Sequence, residues 1–184
     1  MNNLKISFIL LGLIFMNIPM QAQNKILIAY YSWSGNTRYM AEQIKKNTNA
    51  DIFEIVPANA YPEDYNACVD QAKKEINSNF KPALKSKLAS IDAYDIIIVG
   101  SPNWWSTFAP PVATFLSSYN FTGKTILPLI THEGSRMGKS VEDIKQLCPT
   151  ATILSGLPVR GSNVRNAESD ILKWLRDNGV IQKQ

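Results

Sequence analysis

Short apolar runs alternate with amphipathic helical patterns along the chain, and this alternation limits the possible folds more than any other feature. The predicted strands are residues 25–31, 51–56, 95–100, 124–131 and 150–155. The predicted helices are residues 37–47, a helix from near Glu63, one opened by Pro110 and Pro111, residues 137–147 and residues 167–178. Strands that alternate with helices form a parallel sheet covered on both faces. The sequence therefore predicts an α/β fold, a doubly wound parallel sheet in a single domain.

The segment after the first predicted strand is typical of a phosphate site. Hydroxyl groups and one glycine, Gly35, separate the strand from a helix that Asn36 or Thr37 is expected to cap. Such a turn points backbone N–H groups and a helix N-terminus at one spot. The segment lacks the Lys-Ser/Thr pair of nucleoside-triphosphate loops and the three glycines of dinucleotide folds. It fits a monophosphate, and an ordinary loop that caps a structural helix is the alternative.

This segment resembles the phosphate loop of the flavodoxin family, which reads Ser/Thr-x-Ser/Thr-Gly-Asn-Thr. The resemblance implies that the terminal phosphate of FMN is held by Ser32, Trp33, Ser34, Gly35, Asn36 and Thr37. It also implies a flavodoxin-like three-layer fold, in which a five-stranded parallel sheet of order 2-1-3-4-5 carries helices on both faces. In such a sheet the ligand lies beyond the C-terminal ends of the strands, where the strand order reverses. We therefore expect the site at the loops after the first, third and fourth strands.

The loop after the third strand contains Pro102, Asn103 and the adjacent pair Trp104 and Trp105. Consecutive residues cannot both point into a core, so we expect these rings to form a platform for the flat isoalloxazine ring. Backbone groups near Asn103 would then reach the N5 edge of the flavin. The alternative is one buried tryptophan and one that covers the rim. Together with the phosphate loop, residues 101–111 resemble a bacterial exported flavodoxin-like subfamily with a Ser-Pro-x-Trp-Trp loop.

The loop after the fourth strand contains the remaining candidate residues, Thr131, His132, Glu133 and Gly134. His132 is the only histidine of the chain, and we expect it either near the flavin ring or solvated in the loop. One histidine and two distant cysteines exclude a metal site.

A serine hydrolase is also excluded, because Gly100-Ser101-Pro102 lacks the second glycine of a nucleophile elbow. Glu133 is the only acid in the two ring-contacting loops, and it lies between His132 and Arg136. A cation near the flavin favours its anionic reduced form. We therefore expect a less negative potential for the second electron than low-potential carriers show.

The first 22 residues are predicted to be a secretory signal peptide. An apolar stretch follows Lys5 and ends before the small residue Ala22, which places cleavage before Gln23. The stretch is shorter than the ~20 residues that a membrane-spanning helix needs. We therefore expect a flavodoxin-like domain at residues 23–184 that is periplasmic or secreted, without a stable membrane anchor.

The charge of the chain argues against a nucleic-acid partner. The formal net charge is +4, with 19 basic and 15 acidic residues. Removal of the signal peptide takes away one lysine and no acid, and the remaining basic residues are scattered rather than clustered.

The two cysteines are predicted to be separate thiols, although an exported protein could oxidise them. Cys68 lies in the helix after the second strand, and Cys148 ends the helix after the fourth. Right-handed crossovers place both helices on one face with another helix between them. Two helix spacings of roughly 8–10 Å each exceed the ~7 Å limit between the Cα atoms of a disulfide.

We therefore predict an FMN-binding redox protein that transfers electrons through its flavin outside the cytoplasm, with a redox partner protein or a small acceptor such as a quinone. The alternatives are an NAD(P)H-dependent quinone or nitro-compound reductase of the same fold, or a flavin-binding module without turnover. The fold alone does not choose among them.

Overall fold

The computed structural model describes residues 24–182. The predicted signal peptide, residues 1–22, lies outside the described residues. The strands are β1 (Ile26–Tyr30), β2 (Asp51–Glu54), β3 (Ile96–Trp104), β4 (Thr107–Phe108), β5 (Thr125–His132), β6 (Thr152–Ile153) and β7 (Leu157–Arg160). The α-helices are α1 (Asn36–Asn47), α2 (Tyr65–Asn77), α3 (Pro110–Leu116), α4 (Ser140–Leu147) and α5 (Glu168–Asp177), and a 3₁₀ helix covers Gly161–Asn166. No helix in this part of the chain is long and apolar enough to cross a bilayer.

The sheet has the predicted order. Its strands follow one another as β2-β1-β3-β5-β6, and all of these pairs are parallel. Counted along the main strands, this is the order 2-1-3-4-5, so the flavodoxin-like fold class is confirmed. The order reverses between β1 and β3, whose register pairs Ile28 with Ile98 and Tyr30 with Gly100. The C-terminal ends of β1, β3 and β5 therefore lie side by side at one edge of the sheet.

Helices cover both faces because side chains alternate along each strand. Ile26, Ile28 and Tyr30 pack in one core with the buried faces of α1 and α5. Leu27 and Ala29 point to the other face and pack in a second core with α2, α3 and α4. The central strands are buried on both sides, which explains why their sequences are continuous apolar runs.

The predicted fifth strand is shorter than expected, and a further strand follows it. The expectation of one strand over 150–155 is met only by β6, which pairs with the start of β5. β7 then pairs with the end of β5. Sequence reasoning missed β7 because Pro158 lacks an N–H and argues against a strand. Between the two strands, a Cβ at Gly156 would lie only 3.2 Å from the carbonyl oxygen of Pro128.

Several predicted boundaries also differ from the structure. β3 does not stop at Gly100 but continues to Trp104 and forms a hairpin with β4. α2 begins at Tyr65, where the carboxylate of Asp64 caps it by accepting a hydrogen bond of 2.8 Å from the N–H of Ala67. α4 begins at Ser140 rather than Met137.

Cys68 and Cys148 are separate, buried thiols in the structure. Both belong to the core under α2, α3 and α4. The thiol of Cys148 lies 3.9 Å from the carbonyl oxygen of Leu116, the last residue of α3. Burial raises the pKa of each thiol to about 11.

Both cysteines are therefore expected to resist alkylation in the folded protein at pH 8 and to react fully after unfolding. A thiol with a pKa near 11 holds little thiolate at pH 8, and burial also blocks the reagent. Mass spectrometry after iodoacetamide treatment, with and without denaturant but without reductant, measures this. A denatured protein that takes up no label would contradict the prediction by revealing a disulfide.

Candidate functional site

A cavity of about 540 Å³ opens at the edge of the sheet where β1, β3 and β5 end. Its size is typical of a small-molecule or cofactor site. Most of the predicted site residues line it: Trp33, Ser34, Asn36, Pro102, Asn103, Trp104, Trp105, Thr131, His132, Glu133 and Gly134. Ser32, Gly35 and Thr37 do not line it, although they belong to the same loop. The structure thus brings together the three loops that the sequence singled out.

The loop between β1 and α1 leaves the start of the helix without a side-chain cap. Gly35 is the cap residue, with a left-handed φ of 89°, and no side chain in the described part of the chain makes a capping hydrogen bond. The prediction that Asn36 or Thr37 caps the helix is wrong, because both residues already lie in its first turn. That turn contains no acidic residue. Its free N–H groups and the positive end of the helix dipole favour an anion at this point.

The hydroxyl groups of this loop have different environments. The Oγ1 atoms of Thr37 and Thr131 lie 2.8 Å apart and bond to each other in a buried position. Thr37 thus connects α1 to the end of β5. Among the described residues, the Oγ of Ser32 is buried without any hydrogen-bond partner, whereas Ser34 is exposed and faces the cavity. An unpaired buried hydroxyl is costly unless a ligand satisfies it.

The adjacent tryptophans form part of a tight hairpin between β3 and β4. Trp105 and Ser106 occupy its tip with φ values of 50° and 68°, as a type I′ turn requires. Two non-glycine residues in this region store backbone strain, which is a common feature of functional sites. The sequence analysis missed this turn because Trp-Ser is not one of its usual residue pairs.

The two tryptophan rings point in different directions. The Trp104 ring packs edge-on against Tyr31 and Tyr61, with centroid distances of 5.5 and 4.8 Å. Trp105 is 48% exposed at the rim, where its Nε1 donates to the carbonyl oxygen of Val69 at 3.1 Å. The Lys73 ammonium group lies 4.7 Å from the centroid of the Trp105 ring. One ring thus points inward and the other covers the rim, and both line the cavity.

The hairpin is tied to the loop after β5. The side-chain amide of Asn103 donates to the carbonyl oxygen of Arg136 at 2.9 Å. The N–H of Lys139 donates to the carbonyl oxygen of Ser106 at 2.6 Å. Gly138 permits this approach, because a Cβ at this position would lie 2.7 Å from the carbonyl carbon of Ser106. Its φ of 53° is also left-handed, so glycine suits it on both grounds.

Helix α2 forms a wall of the cavity that the sequence analysis missed. Its contribution consists of Tyr65, Cys68, Val69 and Ala72. These residues have the ordinary spacing of a buried helix face, so nothing in the sequence distinguishes them from core residues. Tyr65 is 67% exposed and lies 6.4 Å from the Trp33 ring, measured between centroids. The mouth of the cavity is therefore bordered by aromatic rings.

Three charged side chains act on His132, which lines the cavity. Burial and the nearby Arg136 lower the pKa of this imidazole, Arg160 adds to the effect, and Glu133 partly opposes it. Arg160 stands opposite His132 in the register of β5 and β7. The side chains of Glu133 and Asn36 both lie close to Gly161. A Cβ added at Gly161 would lie 2.6 Å from the Asn36 Nδ2 and would clash with the Glu133 carboxylate. No group of side chains among residues 24–182 could hold a metal ion.

A flavodoxin family model matches residues 25–178, nearly all of the described chain. The chain belongs to the flavodoxin family. It is similar to a candidate flavoprotein from Bacteroides eggerthii, with 31% identity and a TM-score of 0.76 over 87% of this chain and all of the other. A second one, from Bacteroides uniformis, has 29% identity and a TM-score of 0.73 over 84% of this chain and 99% of the other.

A flavoprotein from Lactobacillus acidophilus, solved in complex with FMN, is also similar to this chain. It has 26% identity and a TM-score of 0.65 over 78% of this chain and 97% of the other. No curated protein matches the sequence.

The Thr37–Thr131 bond gives a test of how the loop between β1 and α1 is held in place. Thr37→Val should lower the free energy of unfolding by about 1–3 kcal/mol, because it leaves the buried Thr131 hydroxyl without a partner. The double variant Thr37→Val/Thr131→Val should recover most of this loss, since both polar groups are then absent. Urea unfolding of the wild type, both single variants and the double variant measures the coupling. Additive losses would contradict a direct bond.

Proposed function

We propose that the chain binds FMN in this cavity and transfers electrons through it outside the cytoplasm. The observation that carries the proposal is the loop that leads into α1. Within residues 24–182, its Ser32 hydroxyl has no hydrogen-bond partner, no side chain caps the helix, and no acid lies in the first turn, at one end of an aromatic cavity. The FMN complex of the Lactobacillus acidophilus relative supports it. Bound FMN would supply one- and two-electron redox chemistry.

The phosphate end of the cofactor would be held by hydroxyl groups and backbone N–H groups. Ser34 faces the cavity and can donate directly. Ser32 carries a hydroxyl that has no partner in the described part of the chain. The N–H groups in the first turn of α1 add the favourable end of the helix dipole. A hydrogen bond to a charged group contributes about 1.5–3 kcal/mol, so this end should provide much of the affinity.

The ring end would be enclosed by the hairpin, the loop after β5 and helix α2. Trp104 and Trp105 offer aromatic surface at the inner wall and at the rim. Asn103 is fixed by its bond to the Arg136 carbonyl, which orients the backbone beside it. Val69 and Ala72 of α2 add apolar surface that excludes water. These residues orient the ring and set the polarity around it, which is the contribution that a protein makes to flavin chemistry.

An electron carrier is the first functional candidate, and an NAD(P)H-dependent reductase of a quinone or nitro compound is the second. The open, aromatic mouth of the cavity favours the reductase, because Tyr65 and Trp105 are both strongly exposed there. Exposed aromatic rings beside a cavity are well suited to contact a planar acceptor. A flavin-binding module without turnover is the third candidate.

Purification followed by anaerobic reduction tests these candidates. The purified chain should be yellow, and mass spectrometry of the released cofactor should give FMN. Rapid bleaching by NADPH would identify the reductase, whereas reduction by dithionite but not by NADPH would favour the carrier. A colourless protein that binds neither FMN nor riboflavin would contradict the proposal.

Export is proposed from the sequence of residues 1–22 and from the resemblance to the Ser-Pro-x-Trp-Trp subfamily. Expression of the full chain in a Gram-negative host, followed by fractionation and N-terminal sequencing, tests it. The expected product is a periplasmic protein that begins at Gln23. A full-length cytoplasmic protein would contradict export without affecting FMN binding.

A further inference from the structure

Among the cavity-lining side chains of residues 24–182, only His132 has a buried polar atom without a hydrogen-bond partner. It lines the cavity, and its Nδ1 is buried without a partner among residues 24–182. A buried ring nitrogen that makes no hydrogen bond is costly. Such an atom in a ligand cavity therefore points to a role that begins when the cavity is filled.

The charges that face His132 come from two elements. The loop after β5 contributes Arg136 and Glu133, and the end of β7 contributes Arg160. Burial acts in the same direction as the two arginines and favours the neutral imidazole. These surroundings therefore favour the neutral ring before any negative charge enters the cavity.

We propose that His132 takes up one proton when the flavin bound in this cavity is reduced. This inference rests on the proposed binding of FMN. Reduction of a bound flavin would bring two electrons from the external donor into the cavity that His132 lines, and the cavity would become more negative. A nearby negative charge favours the protonated form of histidine. The proton comes from the solvent and forms one N–H bond at the vacant nitrogen, so the charge added to the cavity is partly balanced.

The consequence is that electron uptake depends on pH. His132 would titrate at a higher pH in the reduced protein than in the oxidised protein. Between these two pH values, reduction consumes an additional proton. The reduction potential should therefore rise more steeply as the pH falls within this interval than outside it, by the linkage between proton binding and a second equilibrium. This coupling suits exchange of two electrons with a quinone or a nicotinamide.

The single histidine makes the test direct. The FMN-loaded protein, without a histidine tag, is titrated by NMR in its oxidised and dithionite-reduced forms, both of which are diamagnetic. Only one imidazole Cε1–H signal is expected, since the chain contains one histidine. The titration midpoint of His132 should rise by about one pH unit or more on reduction. An unchanged midpoint would overturn the inference.

Variants separate this role from a structural one. His132→Gln should retain FMN and lose the steeper pH dependence of the potential. Arg160→Gln should raise the His132 midpoint in both redox states and preserve their difference. Lys46→Gln removes a cation at the far end of α1. It should change neither the His132 midpoint nor the pH dependence of the potential. A His132→Gln potential with the wild-type pH dependence would refute proton uptake at this residue.

The two proposals fail in distinguishable ways. A protein that does not retain FMN, shown by its absorbance and by cofactor mass, would refute the proposed function and this inference together. A protein that retains FMN but keeps a constant His132 midpoint would refute only the inference.

Discussion

Replacing Ser32 and Ser34 together by alanine is expected to weaken FMN binding about a hundredfold or more while the protein remains folded. Each hydroxyl would donate to the charged phosphate, and each such bond is worth about 1.5–3 kcal/mol, while 1.4 kcal/mol corresponds to a factor of ten. The Ser32 hydroxyl has no hydrogen-bond partner to lose within residues 24–182, and Ser34 is exposed. Fluorescence titration with FMN measures the affinity, and thermal unfolding measures stability.

Riboflavin provides the control because it has the same ring without the phosphate. Its affinity should be nearly the same in the wild type and the double variant. Ser117→Ala, at an exposed position after the C-terminal end of α3, should leave both ligands unaffected. Equal losses for FMN and riboflavin would show that this loop does not recognise the phosphate.

Trp104→Leu is expected to lower stability by about 2 kcal/mol, which corresponds to roughly 4–8 °C in Tm for a domain of this size. The substitution removes two edge-on aromatic contacts, with Tyr31 and Tyr61, as well as part of the contact that the half-buried ring makes with the core. Trp105→Leu should change Tm much less, because Trp105 is 48% exposed. Leucine would also have to adopt the left-handed backbone conformation that Trp105 already has, so the strain at this position stays the same. Calorimetry of the two apoproteins measures the difference.

The same variants test the proposal that a tryptophan forms a platform for the flavin ring. A tryptophan that stacks on the isoalloxazine quenches its fluorescence, so its replacement should brighten the bound flavin. We expect this for one of the two variants, measured at saturating FMN. If neither variant changes the emission, the tryptophan platform is wrong. The stability result is independent of this outcome, because it is measured without the cofactor.

Much of the fold could be predicted because burial on both faces leaves a clear pattern in the central strands. The apolar run at the start of β3 and the helix opened by Pro110 follow directly from that pattern. The peripheral strands could not be predicted, because β6 has only two residues and β7 contains Pro158. These short strands form because they pair with β5, not because their own residues favour a strand.

The candidate site could be predicted where it depends on loops that follow strands. The sequence located the three loops, and the structure brings them to one cavity. It could not reveal that the Thr37 hydroxyl bonds to Thr131, since this bond joins residues far apart in the chain. It also could not reveal that α2 closes one side, because a helix face that borders a cavity has the same periodicity as one that borders a core.

The joint between the hairpin and the loop after β5 has a consequence for engineering. Lys139 is hydrogen-bonded to Ser106, and Gly138 lies close to the same residue, so the position of each segment depends on the other. If a loop from a relative replaces only one of the two segments, the new loop will not match the hydrogen bond and the close approach offered by the other segment. Residues 103–107 and 133–139 should therefore be exchanged as a pair, and their backbone amides should open to hydrogen exchange together.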